Sequence, residues 1–299
     1  MPDRFPPLMV DHLSIAVRAI EPALAFLRRH FPIRMRAEPR PGYDGGFTWT
    51  DFFIGDWKLE LIESARPGSF VERFIARHGE GFHHLSIDVA EGALDGYTAA
   101  LECDGLRIAD RGDFGNGDVT AFISPRTAPG ILVQFWQVPG FHGTPPADTP
   151  TDPVAELDGI RYRVDHVGIA VRSIEQAYGW FQGAFPVELR RPKHRGWDPT
   201  HSLMSFWLAG FKMELLDPID PHGAIARYLD HHGEGFHHLT IHVDRLDRLV
   251  ARLERDGVRV IGKRDLGART RTAFIHPHDA HGVLIQLWQP PEFATARRR

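Results

Sequence analysis

Gly79-Glu80-Gly81-Phe82-His83-His84-Leu85 recurs unchanged as Gly233-Glu234-Gly235-Phe236-His237-His238-Leu239, an offset of 154 residues. At the same spacing, Asp11-His12 matches Asp165-His166, and Lys58-Leu59-Glu60-Leu61 matches Lys212-Met213-Glu214-Leu215. Further on, Phe122-Ile123-Ser124-Pro125 matches Phe274-Ile275-His276-Pro277, and Gln134 matches Gln286. The offset there is 152, so the first copy carries two extra residues near 90–93. The chain is a duplication, and a repeat of this length sets the domain organisation before any local reading. The copies are expected at residues 8–140 and 161–291. The Pro- and Thr-rich stretch 141–160 between them reads as a semi-rigid linker.

Each copy repeats within itself. Val10-Asp11-His12-Leu13-Ser14-Ile15-Ala16-Val17 resembles Phe82-His83-His84-Leu85-Ser86-Ile87-Asp88-Val89. Leu13, Ile15 and Val17 alternate with His12, Ser14 and Ala16, the period of a strand with one packed face and one small or polar face. The same alternation assigns Asp11 and His83, and their counterparts Asp165 and His237, to the face opposite His12 and His84. A helical pattern follows each such strand. Leu246, Leu249, Val250 and Leu253 fall at helical spacing, with Asp244 as the expected cap and Gly257 as the stop. Ser173 with Gln176 predicts a capping box opening a helix over 174–183. Short strands then end in 57–62, 131–136, 211–216 and 283–288. Strand, helix and several strands occur four times over, which predicts an α+β fold of four βαβββ modules paired two per half.

Composition narrows the function classes. The 299 residues carry 35 basic and 39 acidic side chains, a net charge of −4 with no long run of either sign. Nucleic-acid binding needs a clustered basic surface, so that class is set aside. The single Cys103 excludes an internal disulfide framework and a cysteine-based zinc site. No apolar run approaches a membrane span and the N-terminus lacks a signal core, so a soluble, cytoplasmic protein is expected. The terminal Arg297-Arg298-Arg299 is expected to be disordered.

Four strand positions per half hold metal-capable side chains between apolar neighbours. They are His12, Glu60, His84 and Gln134 in the first half, and His166, Glu214, His238 and Gln286 in the second. A lone strand histidine is ordinarily a hydrogen-bonded core or surface residue. The recurrence of all four at matched positions, while much around them has drifted, is what marks these. Polar groups turned into an interior are costly unless paired or bound to metal, and two imidazoles with a carboxylate and an amide oxygen suit a divalent first-row ion. One divalent transition metal per active half is expected, with Fe, Co, Mn, Ni and Zn all compatible. His231, His232, His276, His278 and His281 read as ordinary loop histidines.

These residues also carry a resemblance. The segment Leu215 to Asp217-Pro218, then Gly233 to His238, then His276-Pro277-His278-Asp279-Ala280-His281-Gly282-Val283-Leu284-Ile285-Gln286-Leu287, is similar to methylmalonyl-CoA epimerases. More broadly, the pattern resembles the vicinal oxygen chelate superfamily, which includes glyoxalase I, extradiol dioxygenases and bleomycin-resistance proteins. The resemblance spans nearly all the chain apart from the linker and termini. It implies paired βαβββ modules forming two tandem cups, each around a divalent metal that chelates neighbouring substrate oxygens. The implied ligands are the two quartets above.

One departure is informative. In the epimerase and glyoxalase I the last quartet position is normally a Glu tied to proton transfer, whereas here it is Gln134 and Gln286. An amide coordinates through oxygen but accepts no proton near neutrality. The first expectation is therefore a metal-dependent isomerase, epimerase or lyase that stabilises an enolate-like intermediate, with its base drawn from His242, Asp198 or His201. Alternatives are a non-haem Fe(II) dioxygenase, since two His and a Glu are the facial-triad set, and a non-catalytic binder of antibiotic-like molecules. The expected partner is a small molecule, acidic or CoA-linked, and a homodimer is compatible. Arg190, Arg191, Lys193 and Arg195 read as a basic loop that could meet an anionic substrate, or as a solvated turn. Tyr43 and Trp197 are candidate pocket walls, while Trp136 and Trp288 read first as core packing.

Overall fold

The computed structural model describes residues 4–293 apart from 116 and 148, so Arg297-Arg298-Arg299 lies outside the described residues. The first half runs β1 (Leu8–Ala16), α1 (Ile20–His30), β2 (Arg34–Pro41), β3 (Phe47–Ile54) and β4 (Trp57–Ser64). It continues through α2 (Phe70–His78), β5 (Gly81–Val89), α3 (Leu94–Cys103), β6 (Ile108–Asp113), β7 (Val119–Ile123) and β8 (Leu132–Gln137). The second half follows with β9 (Ala155–Leu157), β10 (Ile160–Ala170), α4 (Ile174–Ala184), β11 (Val187–Arg195), β12 (His201–Leu208) and β13 (Phe211–Pro218). Then come α5 (Ala224–His232), β14 (Gly235–Val243), α6 (Leu246–Arg255), β15 (Val260–Asp265), β16 (Arg271–Ile275) and β17 (Ile285–Gln289).

Each half is one sheet. The strand orders are β2-β3-β4-β1-β5-β8-β7-β6 and β11-β12-β13-β10-β14-β17-β16-β15, with β9 added beside β10. In each, two βαβββ modules meet at their first strands, and the first strand of a module runs parallel to its last. The fold is thus the α+β arrangement of four modules in two sheet-dominated domains. β9 and the start of β10 fall within the stretch 141–160 and pair as a hairpin through Leu157 and Ile160.

One face of each sheet is apolar. Leu13, Leu59, Leu61, Leu85, Ile87, Val133 and Phe135 are essentially inaccessible, and α1 and α3 pack on the strands that carry them. The other face carries the polar quartet, and one of its ends is closed. Ala16, Phe47 and Ile62 cluster with Val71 and Ile75 of α2, and Ala170 and Leu216 cluster with Ile225 and Leu229 of α5. The repeated glycines of the opening heptads stop those helices. Gly79 and Gly233 have φ of 78° and 75°, where a side chain would be strained, and their N–H groups bond Ile75 O and Leu229 O.

Strict alternation fails at one place in each first strand. Val10 and Leu13 are both core residues although three positions apart, and so are Val164 and Val167. Asp11 and Asp165 bond the His12 and His166 rings, and Asp165 also lies 3.6 Å from His242, which overturns the assignment of these aspartates to the side opposite the quartet. Ser173 caps α4 by accepting from Gln176 N, one arm of the expected box. Asp244 does not cap α6. Its carboxylate is taken by the Arg161 backbone N–H and guanidinium, at 2.9 and 2.8 Å, and Arg245 occupies the cap position. The basic segment 190–195 is not a loop but part of edge strand β11, and His231 and His232 end α5. Replacing Ser173 with alanine should cost about 1 kcal/mol, read as a lower urea midpoint at unchanged slope.

Candidate metal centres

Three members of each quartet converge. The ligand atoms of His12, Glu60 and His84 lie within 4.8 Å of one another, as do those of His166, Glu214 and His238. Their strands explain this. Ser14 is registered with Glu60 on β4 and Ser86 with Gln134 on β8, and Gly168 and Thr240 repeat these pairings with Glu214 and Gln286. Residues of β1, β4, β5 and β8 therefore meet at the centre of the sheet. His12, His84, Gln134, His166, His238 and Gln286 are all buried.

Hydrogen bonding aims the donors inward. His12 Nδ1 lies 2.6 Å from Asp11 and His166 Nδ1 lies 2.8 Å from Asp165, so each ring gives its Nδ1 proton to a carboxylate and presents Nε2 as a lone pair. The His12 and His84 Nε2 atoms face each other at 3.3 Å. The glutamines are oriented too. Thr120 donates its only proton to Phe135 O at 2.8 Å, so the group it receives from Gln134 at 3.2 Å must be the amide NH2. Thr272 fixes Gln286 in the same way. In the second half Thr240 donates to Gln286 Oε1 at 2.7 Å, and its hydroxyl oxygen lies 3.0 Å from His166 Nε2. The donor set fits a divalent transition metal.

His242 lies within this surrounding. Arg163 donates to its Nδ1 at 3.2 Å, and its Nε2 is 3.6 Å from Asp165. Asp198 serves a turn, accepting from Thr200 N and Oγ1 at 3.0 and 2.7 Å. His201 begins β12 on the quartet face, four residues before Ser205, which registers with Glu214. It is buried, its Nδ1 has no hydrogen-bond partner, and burial lowers its pKa. His83 packs on Phe70 and Phe74 and His237 on Tyr228, each against the helix that closes its centre. Burial pushes both imidazoles down to about 4. Trp136 stacks on Phe114, while Tyr43 is exposed. Sequence reasoning missed Arg163 and the two aspartates. The adjacency of Asp to His in both copies was the available signal.

A family model described as the glyoxalase/bleomycin resistance protein/dioxygenase superfamily matches residues 11–122 and 165–274. The chain is 32% identical to bovine mitochondrial methylmalonyl-CoA epimerase over 132 residues, 42% of this chain and 74% of that protein. It is 31% identical to the ethylmalonyl-CoA/methylmalonyl-CoA epimerase of Cereibacter sphaeroides over 133 residues, 42% of this chain and 97% of that protein. Among solved structures, a triple mutant of 4-hydroxymandelate synthase from Streptomyces coelicolor aligns over 99% of this chain and 95% of its own. Its TM-score is 0.59 at 17% identity, a likeness of fold. Among the described residues, no helix is long and apolar enough to cross a membrane.

Proposed function

The chain belongs to the glyoxalase/bleomycin resistance protein/dioxygenase superfamily, and from that premise we propose that it is a divalent-metal-dependent enzyme moving a proton next to a carbonyl group. The observation that carries this reading is the convergence of two imidazoles and a carboxylate in each half. When bound, a divalent ion would polarise neighbouring oxygens of the substrate and lower the cost of negative charge on them. His12, Glu60, His84 and Gln134, or their second-half counterparts, would hold it.

The glutamines leave proton transfer to another group. Of the three candidates, His242 has both ring nitrogens turned toward Arg163 and Asp165, and Asp198 holds a turn. His201 stands as the proton acceptor. Its lowered pKa keeps it neutral at physiological pH, and one ring nitrogen is unengaged. The substrate class is an acidic or CoA-linked carbonyl compound. Supporting this are the CoA-named relatives and the exposed Arg190, Arg191 and Arg195 on β11.

The test is deuterium uptake from D2O at the carbon next to the carbonyl, followed by proton NMR with methylmalonyl-CoA as probe. Exchange is expected with Mn2+- or Co2+-loaded protein and not after chelation. His201→Phe, which installs the residue found at first-half position 47, should cut second-half exchange at least tenfold with metal content unchanged. Full exchange by that variant would remove His201. A second reading, a non-haem Fe(II) dioxygenase, is favoured by the two-His, one-carboxylate set. Substrate-dependent oxygen consumption by the Fe(II)-loaded protein, without deuterium exchange, would establish it instead.

A further inference from the structure

We propose that the two centres are unequal: His12, Glu60 and His84 form a tight, metal-retaining site, and His166, Glu214 and His238 a weaker one. This rests on the reading of both groups as metal centres. It comes from buried charges at matched positions, which differ although the donors do not.

Asp51 is registered directly across from Glu60 and so shares its face, and it is only 2% exposed. In the second half the same register position, opposite Glu214, is Ser205. Asp88 lies two alternate positions beyond His84 on β5 and is 6% exposed; its counterpart is His242. At the base of the first strand, Met9 corresponds to Arg163. That guanidinium, 15% exposed, sits 3.0 Å from Asp165 and 3.2 Å from His242. The face of the first centre thus carries two buried carboxylates that the second lacks, and that of the second a cation that the first lacks.

Other charges do not cancel this. Arg36 and Lys58 flank Asp51 at 3.1 and 3.8 Å, and cations recur at the matched positions Arg190 and Lys212, so the halves differ in the carboxylate rather than in these cations. On the edge strands the trend is mixed. Arg34 and Arg40 correspond to Glu188 and His194, and Gly112 to Arg264. Arg34, Arg40, Glu188 and Arg264 are exposed, and exposed charges are screened within about 8–10 Å by physiological salt, whereas buried ones are not.

The experiment is a calorimetric titration of the metal-free full chain with Mn2+. Two steps are expected, separated by roughly tenfold or more in Kd. His84→Ala should remove the tight step and His238→Ala the weak one, with folding checked by circular dichroism. Ser205→Asp, which adds the missing carboxylate without touching a donor, should tighten the weak step several-fold, and Asp51→Asn should loosen the tight one. Two equal steps, a tight step lost in His238→Ala, or a weak step unmoved by Ser205→Asp would each overturn the inequality while leaving the metal reading in place. Absence of binding at either centre would overturn the metal reading itself.

Discussion

Asp165→Asn is expected to weaken metal binding by the second half about 10- to 100-fold while leaving the fold intact. The carboxylate holds His166 Nδ1 at 2.8 Å, which fixes the proton there and the lone pair on Nε2, the atom facing Thr240 and the centre. An amide in its place is uncharged and a weaker acceptor, so the ring loses both orientation and basicity. The charge around Asp165 amplifies the loss. Its other neighbour is Arg163 at 3.0 Å, and neutralising Asp165 leaves that guanidinium uncompensated next to the incoming cation. Asp11→Asn should act in the same sense on the first half, where position 9 is Met9 and no such cation is exposed by the change. Mn2+ affinity and metal-free thermal unfolding are the two readouts. An affinity within twofold of wild type for Asp165→Asn would show that the carboxylate has no part in holding the donor ring.

Much of this was legible in the sequence, for physical reasons. A centre built across four strands needs its donors at fixed strand positions, so duplication preserves them at constant offset, as Glu60 and Glu214 show. Period-two alternation then places Leu13, Leu59 and Val133 in the core and their polar neighbours at the centre. The same rule misplaced Asp11 and Asp165. Both carboxylates nonetheless reach the neighbouring His12 and His166 rings, and no local composition announces it. Asp244 was misread because a capping residue and an ion-pair partner look alike until Arg161 is brought beside it from 83 residues away. Asp51 and Arg163 were invisible for a related reason. Each sits at a position where the other half carries a different residue, Ser205 and Met9, so the symmetry that exposed the donors could not expose them.

Acidification should destabilise the metal-free protein over the interval from about pH 6.5 down to about pH 4, and His30 should account for a separable share. His30 is 2% exposed at the end of α1, packed against Phe26 with ring centroids 5.0 Å apart, and its Nδ1 has no hydrogen-bond partner. Burial pushes its imidazole down to about 4, against the opposing attraction of Asp256. In the unfolded chain a histidine takes up its proton near 6.5. Between those values the unfolded state binds the extra proton and the native state does not, so stability falls as pH falls through the interval and levels off below it. A shift of this size corresponds to at most about 3 kcal/mol at the acid end. His83 and His237 add to it in the same direction. His30→Phe removes one titrating group from an aromatic setting. Urea unfolding of wild type and variant should therefore give curves that converge or cross between pH 7 and pH 4.5, the variant gaining about 2–3 kcal/mol relative to wild type. Parallel curves would mean that His30 is protonated in the folded chain, and that its burial is relieved by opening of the α1 terminus.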